Sequence, residues 1–78
     1  MTSQQIGKTI IFHRKKSKLT QKQLADLAGV GKTVVFDIER GKETVQINSI
    51  LKVLSVLNIK LEMKSSLMYL MEIENEES

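Results

Sequence analysis

The 78-residue chain has no cysteine, no proline and a single histidine. Without cysteine, neither disulfides nor a Cys/His zinc site can supplement the core, which at this length buries only about 60% of the unfolded chain's surface. Self-association is the remaining common route to stability, so a homodimer is expected. The absence of cysteine also suits a reducing compartment. No segment approaches the ~20 apolar residues that span a bilayer, and the N-terminus lacks the basic, apolar and small-residue regions of a secretory signal, so a cytoplasmic protein with no membrane association is expected. His13 has no Cys, Asp or Glu neighbour at ligand spacing, which argues against a metal site and against general-base catalysis.

Basic charge is missing from one end. All twelve Lys and Arg lie at or before Lys64, where they meet five acids (Asp26, Asp37, Glu39, Glu43 and Glu62), while residues 65–78 carry Glu72, Glu74, Glu76 and Glu77 and no base. A body at +7 favours a polyanion through counterion release, and a tail at −4 is repelled by one or serves another partner.

With no proline and only one alternating stretch, helical periodicity organises the chain. Ser3 is placed to cap a first helix carrying Ile6 and Ile10, which fades over Lys15–Lys18. Thr20 and Gln23 form a T-x-x-Q capping box, preceded by Leu19 as a hydrophobic staple. The second helix presents Leu24, Leu27 and Ala28 inward and stops at Gly29. A third follows Gly31, with Val35 and Ile38 inward and Gly41 as its stop. A fourth covers about Ile47–Leu57, with Ile47, Ile50, Leu51, Leu54 and Leu57 at helical spacing and Asn58 as a break. Residues 59–64 alternate apolar and charged, as a half-exposed strand does; a lone strand needs a partner, and the same strand of a second subunit is the obvious one. Leu67, Leu70, Met71 and Glu74 are spaced for a short amphipathic helix, although so brief a segment is also compatible with disorder.

The run QKQLADLAGVGKTVVFDIER over residues 21–40 has its small and apolar residues at the offsets of a helix-turn-helix: Ala25 small where the helices cross, Gly29 in the turn, and Val30, Val35 and Ile38 fixing the crossing. Over roughly residues 6–58, including E-R-G at Glu39–Gly41, the chain resembles the Cro/C1 repressor (XRE) family. The V-G-K-T-V-V-F-D-I-E-R-G-K run, followed by a helix and a β-like tail, most resembles the HipB-type antitoxins. The fold implied is mainly α, a four-to-five-helix, lambda-repressor-like helix-turn-helix domain over residues 1–58. A dimerising β-strand at 59–64 and an acidic, apolar tail at 65–78 complete it.

In a helix-turn-helix the third helix enters the major groove with its N-terminal residues against base edges. Lys32, which can donate to guanine O6 and N7, and Thr33, whose methyl can pack on thymine, are the leading base-reading candidates. Phe36 follows them, unusual at a position that is commonly polar in the family. Asp37 can accept from a cytosine amino group or can stand as a solvated acid beside Arg40. Gln21 resembles the family's phosphate-clamping glutamine. The Gly31 backbone with Lys16, Lys18, Lys22, Arg40 and Lys42 would supply sequence-independent backbone contacts. Arg14 and Glu39 match positions that form an internal ion pair in the family. Val53, Val56, Ile59, Leu61 and Met63 are candidates for the dimer interface.

The resemblance implies an operator-binding repressor that autoregulates its operon at an inverted repeat and acts as antitoxin to a HipA-type kinase toxin, in a bacterial, nucleoid-associated setting. The exposed apolar residues Ile11 and Phe12 have no evident core role, and Leu67, Met68, Tyr69 and Met71 are candidates for holding the toxin; the same residues could instead complete the dimer. The alternatives are a stand-alone phage-type repressor or restriction-modification controller, and a protein-interaction module that has lost DNA readout. An enzyme is disfavoured: G-V-G-K-T lacks the spacing of a phosphate-binding loop, and the acidic run has no opposed nucleophile. No cofactor, metal or small-molecule substrate is expected.

Overall fold

In the computed structural model, which describes residues 1–77 and side chains as far as Asn75, five helices follow one another: α1 (Ser3–Lys16), α2 (Gln21–Ala28), α3 (Lys32–Glu39), α4 (Ile47–Val56) and α5 (Met68–Glu77). Ser78 and the side chains of Glu76 and Glu77 in the acidic tail lie outside the described residues. No strand forms among the described residues. The mainly α expectation holds.

Local chemistry sets the helix ends. The cap of α1 is Thr2 rather than Ser3: Thr2 Oγ1 accepts from the Gln5 amide at 3.1 Å, and Gln5 Oε1 accepts from the Thr2 amide at 2.8 Å. The Thr20–Gln23 box forms as read, at 3.0 and 2.9 Å. Gly29 takes a left-handed φ of 70°, which closes the tight turn between α2 and α3 without the Cβ penalty another residue would meet. Asn58 is also left-handed, and the Ile59 amide returns to Leu54 O at 2.9 Å, ending α4 where the sequence placed a break.

The core is Ile10, Leu24, Ala25, Val35, Ile38, Val53, Leu54 and Leu57, gathered from α1 to α4. Two helices are rotated from the expected registers. On α2 the buried face is Leu24 and Ala25 with Ala28 half-covered, and Leu27 is 63% exposed. On α4 the inner face is Ile50, Val53, Leu54 and Leu57, leaving Ile47 and Leu51 outside. Val53 was a dimer-interface candidate; at 0% exposure it fills this chain's own core and has no surface to offer a second subunit.

Gly7, buried in the middle of α1, marks a close approach between helices. A Cβ built on it would lie 2.6 Å from the Ile38 carbonyl oxygen and 2.7 Å from that of Glu39. Only a glycine lets α1 approach the last turn of α3 this closely.

Residues 59–64 have no regular structure, because strand hydrogen bonds need a second strand and a single chain supplies none. Ile59 packs against the core, while Leu61 and Met63 are exposed. Beyond them α5 projects away from the four-helix body. The molecule measures 44 × 23 × 22 Å, and its radius of gyration of 14.8 Å exceeds the roughly 11.5 Å of a compact chain this long.

Candidate nucleic-acid interface

The turn at Gly29 sets α3 across the start of α2 and brings four of the predicted residues together. Gln21, Lys32, Thr33 and Phe36 line one open, shallow hollow. Lys32 and Thr33 are the first two residues of α3, whose cap, Gly31, has no side chain to occupy the amides at that helix start. Those donors and the positive end of the helix dipole face outward, a ready place for phosphate oxygens. Gly31 itself is exposed, with open space around its Cα.

Beneath the hollow is a partly buried polar network. Arg14 on α1 donates Nε to Glu39 Oε2 at 2.6 Å and an Nη2 hydrogen to Glu39 Oε1 at 3.0 Å, the paired geometry that suits a guanidinium and a carboxylate. Its Nη1 donates to the Leu19 carbonyl at 3.0 Å, pinning the α1–α2 connection. Gln21 Nε2 also donates to Glu39 Oε1, at 3.0 Å. Glu39 at the end of α3 therefore fixes both α1 and the first residue of α2. Gln21 does not swing freely over the backbone-binding face: one amide hydrogen is committed to Glu39 and the other remains to donate outward.

Phe36 is half exposed beside Lys32 and Thr33, and the Arg40 guanidinium stands 5.7 Å from its ring centroid. Asp37 is not left to solvent. Its Oδ1 accepts from Arg40 Nε at 3.0 Å and its Oδ2 from Lys42 Nζ at 3.5 Å. Of the two readings of Asp37 the geometry favours the one beside Arg40, since both carboxylate oxygens are engaged within the chain. The hydrogen bond from Arg40 is the main influence holding the carboxyl below its ordinary value of 3.8, helped by the positive charge of Lys42 and opposed by partial burial. A carboxyl depressed in the folded state stabilises it above the unfolded value and loses that contribution as pH falls through the folded one. Asp37→Asn is therefore expected to lower stability at pH 7, by an amount that shrinks as the pH falls below 3.8 and vanishes once it passes the depressed value of the folded state. Urea titrations over that pH range check this.

The remaining basic candidates divide. Lys22 pairs with Asp26 at 3.1 Å, but both side chains are well exposed, so the pair is weak and Lys22 can exchange Asp26 for phosphate. Lys18 sits at a left-handed φ of 59° in the α1–α2 connection. Lys16 lies on the outer face of α1, 5.6 Å from the Phe12 ring centroid, and belongs as much to that face as to the hollow. One group escaped sequence reasoning: Thr44, Gln46 and Ser49, at and before the start of α4, line a second open hollow with Lys42 and Asp37. Three polar side chains clustered about the start of α4 were the available signal.

Of the other candidates, Val56 and Ile59 are half-buried. Leu67, Tyr69 and Met71 are exposed and Met68 half-buried on or beside α5. No helix is long and apolar enough to cross a membrane among the described residues.

Comparison with known proteins agrees with this geometry. The family model described as Helix-turn-helix matches residues 12–63. An uncharacterized HTH-type transcriptional regulator, y4mF, of Sinorhizobium fredii (strain NBRC 101917 / NGR234) is 39% identical over 61 residues, spanning 78% of this chain and 80% of that protein. Among solved structures, a HipA-HipB-O2-O3 complex contains a chain with a TM-score of 0.75 at 17% identity, covering 85% of this chain and 93% of that one. A complex of a HipB variant with an O2 20mer matches with the same score and identity, over 85% and 92%. At that identity the structural likeness establishes a shared fold.

Proposed function

The chain belongs to the helix-turn-helix family of DNA-binding transcriptional regulators, a class without enzymatic activity, and on that premise we propose that it represses its own operon by binding an inverted-repeat operator as a dimer, and that it is the antitoxin of a HipA-type kinase. The observation that carries the DNA half is the convergence of Gln21, Lys32, Thr33 and Phe36 on one open hollow at the starts of α2 and α3. Lys32 and Thr33 read base edges, and Phe36 offers an apolar edge to thymine methyls. Gln21, the Gly31 backbone, Lys22, Arg40 and Lys42 hold the phosphates, with Lys16 and Lys18 further out.

Dimerisation is supported by the apolar surface that one chain leaves uncovered: Leu51, Ile59 and Leu61 line a continuous groove with Ser55 and Asn58. Pairing of residues 59–64 about a two-fold axis would cover it and leave Val56 and Met63 at its edges. Two recognition helices about 34 Å apart then require half-sites roughly 10 base pairs centre to centre. The antitoxin half is supported by the HipA-HipB-O2-O3 complex in which one structural relative is found, and by Leu67, Met68, Tyr69 and Met71, which lie on or beside α5, outside the core of the four-helix body.

Lys32→Ala is expected to cost about 1–3 kcal/mol of operator affinity and to relax preference at one base position, whereas Lys42→Ala weakens binding to all sequences and lowers the salt slope by about one. Anisotropy titrations over a salt series separate the two. Affinity purification from the native host, with a gel shift on the upstream promoter, tests the whole reading. Co-purification of a HipA-like kinase and a shifted promoter support it; a shifted promoter without a kinase leaves a stand-alone repressor and removes the antitoxin half.

A further inference from the structure

Among the described residues, no other element covers the outer face of α1. Its inner face buries Gly7 and Ile10, and one side faces Glu39 through Arg14; the opposite side presents Phe12 with Lys8 four residues before it and Lys15 and Lys16 three and four after it. Phe12 is 58% exposed, with Lys16 Nζ held 5.6 Å from its ring centroid. No acid occurs before Asp26, so the face carries an aromatic ring among cations with no neutralising carboxylate on its own helix.

The other end of the chain has the opposite character. From Ser65 onward there is no base. Leu67, Leu70 and Met71 form an exposed apolar stripe with Glu74 at the next turn, and among the described residues α5 makes no extensive packing with the four-helix body. The two faces are opposite in charge and each has an apolar centre. Leu70 and Met71 can cover the Phe12 ring, a thioether on an aromatic edge being a favourable contact, while Glu74, on the same side of α5, reaches a lysine beside the ring.

We infer that α5 of a second copy of this chain docks on the Lys8–Phe12–Lys16 face of α1. The inference rests on the dimer reading: pairing of residues 59–64 would send each α5 towards the other subunit. Docking buries the Leu67–Leu70–Met71 stripe, leaves Met68 and Tyr69 on the other side of α5 for a toxin, and offsets part of the positive charge on the outer face of α1.

The absence of cysteine allows a clean test. Full-length chain carrying Ser66→Cys and a nitroxide label, at natural isotopic abundance, is mixed with 15N-labelled chain that has neither, so any broadening seen arises between subunits. Sedimentation measures the mass of the same sample. The expected result is a dimer in which the amide signals of Lys8 to Lys16 are broadened several-fold more than those of α3. Phe12→Ala in the 15N chain should remove that difference while the rest of its spectrum stays folded, since Phe12 contributes little to the core. A dimer without selective broadening of α1, or selective broadening that survives Phe12→Ala, overturns the docking and leaves the dimer standing. A monomer overturns both.

Discussion

Gly7→Ala is expected to remove most of the chain's stability and to lower its urea midpoint sharply. The added methyl meets backbone, not a flexible side chain: the carbonyl oxygens of Ile38 and Glu39 would stand 2.6 and 2.7 Å from it, and the Glu39 carbonyl carbon 3.1 Å. Relief requires α1 to move off α3, which uncovers Ile10 and breaks the geometry between Arg14 and Glu39. Overpacking of a tight contact costs typically about 1–3 kcal/mol and more where backbone must shift, against the roughly 3–5 kcal/mol that a core of this size supplies. Gly31→Ala is the control. A Cβ there meets nothing within 4 Å at an ordinary φ of −74°, so its cost is the loss of a permissive cap residue, about 1 kcal/mol or less. Urea unfolding followed by circular dichroism compares the two, and equal midpoints would remove the close approach of α1 and α3 from the account.

The second large effect is at the ion pair beneath the candidate interface. Arg14→Ala is expected to cost about 3–5 kcal/mol, because it strands the Glu39 carboxylate, whose side chain is only 5% exposed, without its charge partner. Arg14→Lys should recover little, since an ammonium cannot reproduce the paired donors on Glu39 together with the bond to the Leu19 carbonyl. Replacing both partners with apolar residues of similar volume, Arg14→Met with Glu39→Leu, should restore much of the stability. It should not restore DNA affinity, because Gln21 then loses the acceptor that orients it. The double variant thus separates the pair's contribution to folding from its contribution to positioning, through one unfolding curve and one binding curve.

Much of the helical body was legible because it is written in local chemistry. Thr20 and Gln23 are three residues apart and cap whatever helix follows them; Gly29 and Asn58 stand where left-handed residues end helices; Ala25 is small because α3 crosses it. What escaped depends on distances between helices. Periodicity marks an apolar arc but not which of its edges the next helix covers, so Leu27 and Leu51 read as inward and are exposed. On α4, apolar residues occur almost all round, from Ile47 to Leu57, and Val53 could be given to an interface when packing gives it to the core. Gly7 looks like an ordinary weak spot in a helix until the approach of α3 is known. Residues 59–64 have a strand's alternation, but a single chain gives them no strand to pair with. The candidate interface followed the same division: Lys32, Thr33 and Phe36 fell into place from the register of α3, whereas the engagement of Asp37 by Arg40 and Lys42 and of Gln21 by Glu39 depended on side-chain geometry.

The central claim is that the starts of α2 and α3 read DNA sequence. Its most direct measurement is the affinity of the purified protein for the promoter duplex upstream of its own gene against a scrambled duplex of the same composition, over a range of salt, with the Lys32→Ala, Thr33→Ala double variant alongside. The expected result is a preference for the promoter of at least about 10³-fold, a log–log salt slope set by several phosphate contacts, and loss of most of the preference but little of the slope in the double variant. Equal affinity for the two duplexes, or a preference that the double variant retains, would contradict it.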